Sequence, residues 1–197
     1  MKLQLFAKAN NWEFFSARKA NPKFGAARKK ILARDKYTCY YCHFRSDELE
    51  IINVDHDYEH NKPANLKAAC ALCARCVLLD SYPLSYEGGD KMVYMPEMTQ
   101  ETLNHTCRHL FCKVDDADDS EGAYNAKMIL AQMQDRAAWL DEKAGCALSH
   151  PAMFLHYMGM KDHDKKLVHR VRWLPTQETF SDHIPHWREL LKDSAGV

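Results

Sequence analysis

The sequence predicts an α+β protein: a small metal-stapled core with short strands, followed by a mostly helical second half. Three observations predict it. Two Cys-x-x-Cys pairs, Cys39–Cys42 and Cys70–Cys73, flank the run Ile51-Ile52-Asn53-Val54, whose β-branched content favours a strand. From residue 122 onward apolar residues recur at three- and four-residue steps, the period of a helix that buries one face. The hydrophobic fraction, 46%, is enough for a packed core.

The elements follow in chain order. Leu3, Leu5 and the alternation Trp12-Glu13-Phe14 predict short strands packed on the body. Pro22 to Asp35 predicts a helix, because proline suits a first turn and Ala26, Ala27 and Lys30 are good helix formers. Residues 39–45 read as a knuckle, two thiols on a tight turn with Tyr40, Tyr41 and Phe44 around it. A strand over Ile51–Val54 and a loop at Asn61-Lys62-Pro63-Ala64 come next. Asn65 to Leu79 then predicts a helix with Leu72, Val77, Leu78 and Leu79 as its apolar positions. Gly88-Gly89-Asp90 marks a turn before an alternating strand, Lys91 to Met95, which Pro96 closes. Thr99 is a fair cap for a helix over Gln100–Cys112.

The run Asp115 to Glu121 holds five acids and no base, and marks the best boundary in the chain. It predicts a zinc-binding core with an N-terminal strand and helix over 1–114, and a helical region over 115–197 packed on that core. Residues 122–143 carry Met128, Ile129, Met133, Ala137 and Leu140 on one helical period, and Gly145 stops it. Ser149 and Pro151 start a helix that runs through Met158, Lys165–Leu174 forms a third element ended by Pro175, and Pro185 starts the last, with Trp187, Leu190 and Leu191. Met128, Met133, Met153, Met158 and Met160 read as ordinary core or as an adaptable binding surface.

Charge narrows the function classes. The chain has 27 bases and 27 acids, without the basic excess usual in nucleic-acid binders. The average conceals an asymmetry: residues 1–36 hold ten Lys and Arg against Glu13 and Asp35. That end reads as solvated surface or as a face for an acidic partner. No run reaches the roughly eighteen apolar residues of a membrane-crossing helix. The apolar run in MKLQLFAKANNWEFF is too short for a signal peptide, so the expected compartment is the cytoplasm, with reduced thiols.

Eight cysteines are present, and in a reducing compartment paired Cys-x-x-Cys motifs point to metal rather than to disulfides. Zinc takes four ligands in a tetrahedron, and each Cys-x-x-Cys turn presents two thiolates. The predicted cofactor is one structural zinc on Cys39, Cys42, Cys70 and Cys73. Cys76 forms a further Cys-x-x-Cys with Cys73 and is an alternative to Cys70. Cys107, Cys112 and Cys146 read as small buried hydrophobes.

Between the two pairs the chain reads VDHDYEHNKPANL, and residues 28–76 resemble the HNH nuclease superfamily. The resemblance implies an HNH-like core, of the ββα-metal or treble-clef-like kind. It places Asp55 where a catalytic metal ligand would stand, His56 at the general base and Asn65 where the histidine is oriented. The remaining ligand would be a His or Asn directly after the second Cys pair, and that position holds Ala74. The proline expected three residues after the Asp is replaced within Asp57-Tyr58-Glu59-His60. The pattern is that of a degenerate site, with no catalytic residue assigned and Asp55, His56 and Asn65 as its remnants. A metal-dependent HNH endonuclease and a non-catalytic DNA-binding protein are the alternatives.

A closer resemblance covers more of the chain. FSARKANPKF (15–24), KKILARDKYTCYYCHF (29–44), INVDHDYEHNKPANLKAACALCARC (52–76) and VYMPEMTQETLNHTCRHLFC (93–112) resemble the IcmJ/DotN family of type IVB (Dot/Icm) secretion systems. That resemblance implies a non-enzymatic, zinc-containing component of the type IV coupling complex. It would bind the C-terminal extension of the coupling ATPase DotL, beside DotM and the IcmS/IcmW pair, and support recruitment of effector proteins. It would be cytoplasmic, peripheral to the bacterial inner membrane, with nucleic acid not expected as a partner.

Overall fold

In a computed structural model, residues 2–114 and 116–195 are described. The chain forms two compact units, Met1–Pro83 and Leu84–Val197. The architecture is α+β, mostly helical with short antiparallel strands.

The first unit contains helices α1 (Asn11–Ala20) and α2 (Phe24–Arg34), strands β1 (Glu50–Asn53) and β2 (Leu66–Ala69), and the short helix α3 (Ala71–Cys76). β1 and β2 pair antiparallel, with Ile52 opposite Lys67. Ile51, Ile52, Leu66 and Leu72 fill its core beside Ile31 and Leu32 of α2.

Two expectations fail here. Trp12 to Phe14 is helical, not a strand, because Asn11 and Phe15, one turn apart, are the buried pair; the relevant period is four. Around Leu3 and Leu5 the chain forms no strand, though Phe6 donates to the Cys76 carbonyl at 2.9 Å and accepts from the Leu79 amide at 3.2 Å. The single helix expected over Asn65–Leu79 is instead a 3-10 turn (Pro63–Asn65), β2, α3 and a second 3-10 turn (Leu79–Ser81). Leu66–Ala69 is a strand because β1 offers its edge, and Cys70, extended at φ −67° and ψ 157°, separates it from α3.

The second unit contains β3 (Lys91–Tyr94), α4 (Gln100–Val114), α5 (Ser120–Ala144), α6 (Pro151–Gly159), α7 (Lys165–Val168), β4 (Val171–Leu174) and α8 (Ile184–Ala195). Thr99 caps α4 as expected, accepting from the Thr102 amide at 3.2 Å. Leu103, Cys107 and Phe111 recur every fourth residue on its buried face. Gly145 ends α5 at φ 68°, the left-handed conformation that closes helices. The element expected over Lys165–Leu174 splits into α7 and β4. Val171 and Trp173 alternate, both buried, and β4 pairs antiparallel with β3, Met92 opposite Trp173.

The division falls after Pro83, not after residue 114. β3 pairs with β4, and α4 packs on α5 and α8, so residues 84–114 share a core with the second half. Asp115, the first acid of the expected boundary run, lies outside the described residues. Cys107 and Cys112 are buried as expected, but Cys146 is exposed in the turn after α5. Met128 and Met160 are exposed and Met133, Met153 and Met158 half-buried; among the described residues the fully buried methionines are Met92 and Met95.

Candidate metal centre

Cys39 and Cys42 sit on the turn after α2. Lys36, Tyr37 and His43 all take positive φ, between 52° and 59°. Such a run of left-handed residues reverses the chain tightly at a conformational cost that its hydrogen bonds offset. Cys39 donates to the Phe44 carbonyl at 2.8 Å, His43 to the Cys39 carbonyl at 3.0 Å, and Thr38 and Arg45 form a bridge. The Tyr40 amide donates to the Ala68 carbonyl of β2 at 2.8 Å, which sets the turn against the second pair. Cys70 follows β2 as the residue before α3, and Cys73 lies in the first turn of α3.

The four sulfurs lie within 4.8 Å of one another, with Cys42 and Cys70 3.6 Å apart. Tetrahedral zinc with bonds of about 2.3 Å to sulfur needs sulfurs roughly 3.8 Å apart, so the donor set fits. All four cysteines are buried. Burial, followed by the neighbouring thiols of Cys39 and Cys42, pushes the Cys70 thiol well above its ordinary value. Four thiolates this close are therefore unfavourable unless a cation offsets them. Cys76 stays outside the group and donates to the Leu72 carbonyl at 3.2 Å, so the four-sulfur cluster contains Cys70 and not Cys76.

The nuclease-like positions are brought together only in part. Asn65 donates to Asp55 at 2.8 Å and accepts from the Asp55 amide at 3.1 Å. Asp55 also lies 2.6 Å from Nδ1 of His60, a partner that sequence reading gave no role. Burial opposes ionisation at Asp55, but hydrogen bonds from the Asp57 amide, His60 and Asn65 hold its carboxyl below the usual range. His56 is turned to another task. It takes φ 58°, its ring stacks on Phe6 at 4.3 Å and 19°, and its carbonyl accepts from Asn11. Burial holds its imidazole below its ordinary pKa, and its Nδ1 is buried without a hydrogen-bond partner. Ala74, buried on α3, supplies a methyl group where a metal ligand would be required.

Sequence reading also missed the support of this loop. Arg18 of α1 donates to Asn53, Asn61 and the Ile51 carbonyl, and lies over the rings of Phe24 and Tyr58. Asn53, fully buried, donates to the Asp57 and His60 carbonyls. The clustering of Asn53, Asn61 and Asn65 about one loop was the available signal, since asparagine commonly bonds nearby backbone. The N-terminal bases are accordingly not a free cationic face as a group. Arg18, Arg28 and Arg34 donate to backbone carbonyls, and Lys19 pairs with Glu50.

No family model matches the chain. Over 192 residues it is 34% identical to the Type 4 apparatus protein DotN of Legionella pneumophila subsp. pneumophila (strain Philadelphia 1), covering 94% of this chain and 89% of that protein. The chain belongs to the DotN (IcmJ) family. The alignment therefore spans both units, including the knuckle, the loop and α3.

Proposed function

We propose that this chain is a non-catalytic, zinc-stapled component of a type IVB (Dot/Icm) secretion apparatus. The observation that carries the reading is the 34% identity, over nearly the whole chain, to a type 4 apparatus protein. One zinc on Cys39, Cys42, Cys70 and Cys73 would fix the turn after α2 to β2 and α3, giving an HNH-like ββα scaffold. The zinc supplies four bonds to a core too small to hold that turn by apolar burial alone.

The absence of catalysis rests on Ala74 and His56. Metal-assisted phosphodiester cleavage needs an ion held by side chains and a base facing the bound water. The Ala74 methyl has no lone pair, and the His56 ring is stacked on Phe6. In the coupling complex the chain would bind the C-terminal extension of the coupling ATPase DotL, beside DotM and IcmS/IcmW, at the cytoplasmic face of the inner membrane. Among the described residues no helix is long and apolar enough to cross a membrane, in keeping with attachment through partners.

Co-purification of the chain with the C-terminal segment of the coupling ATPase tests this. A stable complex is the expected result, and failure to recover the segment at micromolar concentrations overturns it. The assembled Asp55–His60–Asn65 group favours one second reading, a metal-dependent endonuclease. Plasmid cleavage with magnesium, manganese or nickel that His56→Ala abolishes would establish that reading, and no cleavage with any of the three removes it.

A further inference from the structure

We propose that the outer face of α5 docks a basic amphipathic helix of another protein. Most helices of a globular unit have one apolar stripe; α5 has two. Its inner stripe includes Ala126, Ala137 and Leu140, all buried. With 3.6 residues per turn, Tyr124, Met128 and Trp139 fall together on the opposite side. Tyr124 is 63% exposed and Trp139 44%. Trp139 leans on Tyr94 at 4.2 Å. Beside that pair lies a hollow of about 340 Å³ walled by Tyr94, Pro96, Glu97 and Arg136. A partner's apolar side chain seated there would be a buried anchor, the kind of contact that dominates binding energy.

Charge identifies the occupant. Glu121, Asp135 and Glu142 share the outer face, all exposed and, among the described residues, without an ion pair. Lys127, Lys143 and Arg136 stand only at its margins, and Arg136 is paired with Glu97. A second copy fits poorly. Two α5 helices packed antiparallel set Glu121 against Glu142, and packed parallel they set each acid against itself. Like charges brought together this way disfavour the pairing. A helix that offers Lys or Arg at those places, with an apolar seam between them, satisfies both features. The inference stands on this face alone and does not depend on the coupling-complex reading.

The test uses fluorescence anisotropy with the full chain and two labelled synthetic helical peptides of the length of α5. Both carry a leucine seam; one has lysine and the other glutamate along its flank. The lysine peptide should bind, and Trp139→Ser or Asp135→Lys should each weaken it by about tenfold, the scale of one lost anchor contact. The double variant Asp135→Lys, Glu142→Lys should turn preference toward the glutamate peptide. All three positions are exposed, so the variants should retain the wild-type circular dichroism. Equal affinity for the two peptides, no binding of either, or affinity unmoved by the variants overturns the proposal. So does self-association in sedimentation that Trp139→Ser abolishes, which would make a second copy the occupant.

Discussion

Asp35 shows how single side chains join elements in this protein. Its carboxylate follows α2, pairs with Arg34 at 2.8 Å and accepts from the Ala68 amide of β2 at 2.9 Å. Burial raises its pKa, but Arg34, the Ala68 amide and Lys67 outweigh that and leave it below the ordinary range. A carboxylate held low contributes stability above its unfolded value of about 3.9 and loses it as pH falls through the folded value. Asp35→Asn should therefore cost about 1 kcal/mol at pH 7, a cost that shrinks toward zero below about pH 4, as urea unfolding across pH would show. A cost equal at pH 7 and pH 3 would contradict it. At this scale the clustering of the four buried cysteines is legible in the sequence, because two Cys-x-x-Cys turns state their geometry in their spacing. The contact of His60 with Asp55 is not, because it depends on a loop that Arg18 and Asn53 hold from elsewhere in the chain.

At the scale of elements, α5 and its stop are legible because Met133, Ala137 and Leu140 keep a helical period and the helix ends on a glycine, although Met128 and Ile129, read on the same period, are exposed. Gly145 is left-handed, and a side chain there would meet nothing within 4 Å. Gly145→Ala should therefore cost about 1 kcal/mol through backbone conformation alone, visible as a lower urea midpoint with an unchanged slope. β2 and β4 are not legible, since four residues are too few to show a period and each strand exists through its partner. Gln100 supports β4 directly: its side chain donates to the Trp173 carbonyl at 2.8 Å and accepts from the Trp173 amide at 2.9 Å. All of these groups are buried. Gln100→Ala would remove both of these buried hydrogen bonds, and should cost about 2–3 kcal/mol in the same measurement; a loss under about 0.5 kcal/mol would show that the two bonds add little to the fold.

At the scale of the molecule, the boundary after Pro83 was hidden because the acidic run resembles a linker, while residues 116–119 form a turn and Ser120 and Glu121 already begin α5. The two units should respond differently to metal removal. A strong zinc chelator should abolish the thermal transition of the first unit and leave the helical signal of the second, followed by circular dichroism; loss of both together would show that the second unit depends on the first. One zinc held by the four buried thiols would serve the fold of the first unit. Elemental analysis of the purified chain tests that claim most directly. One zinc per chain is expected, retained in Cys76→Ser and lost in Cys70→Ser. A wild-type chain without zinc, or zinc that Cys76→Ser removes and Cys70→Ser leaves in place, would contradict it.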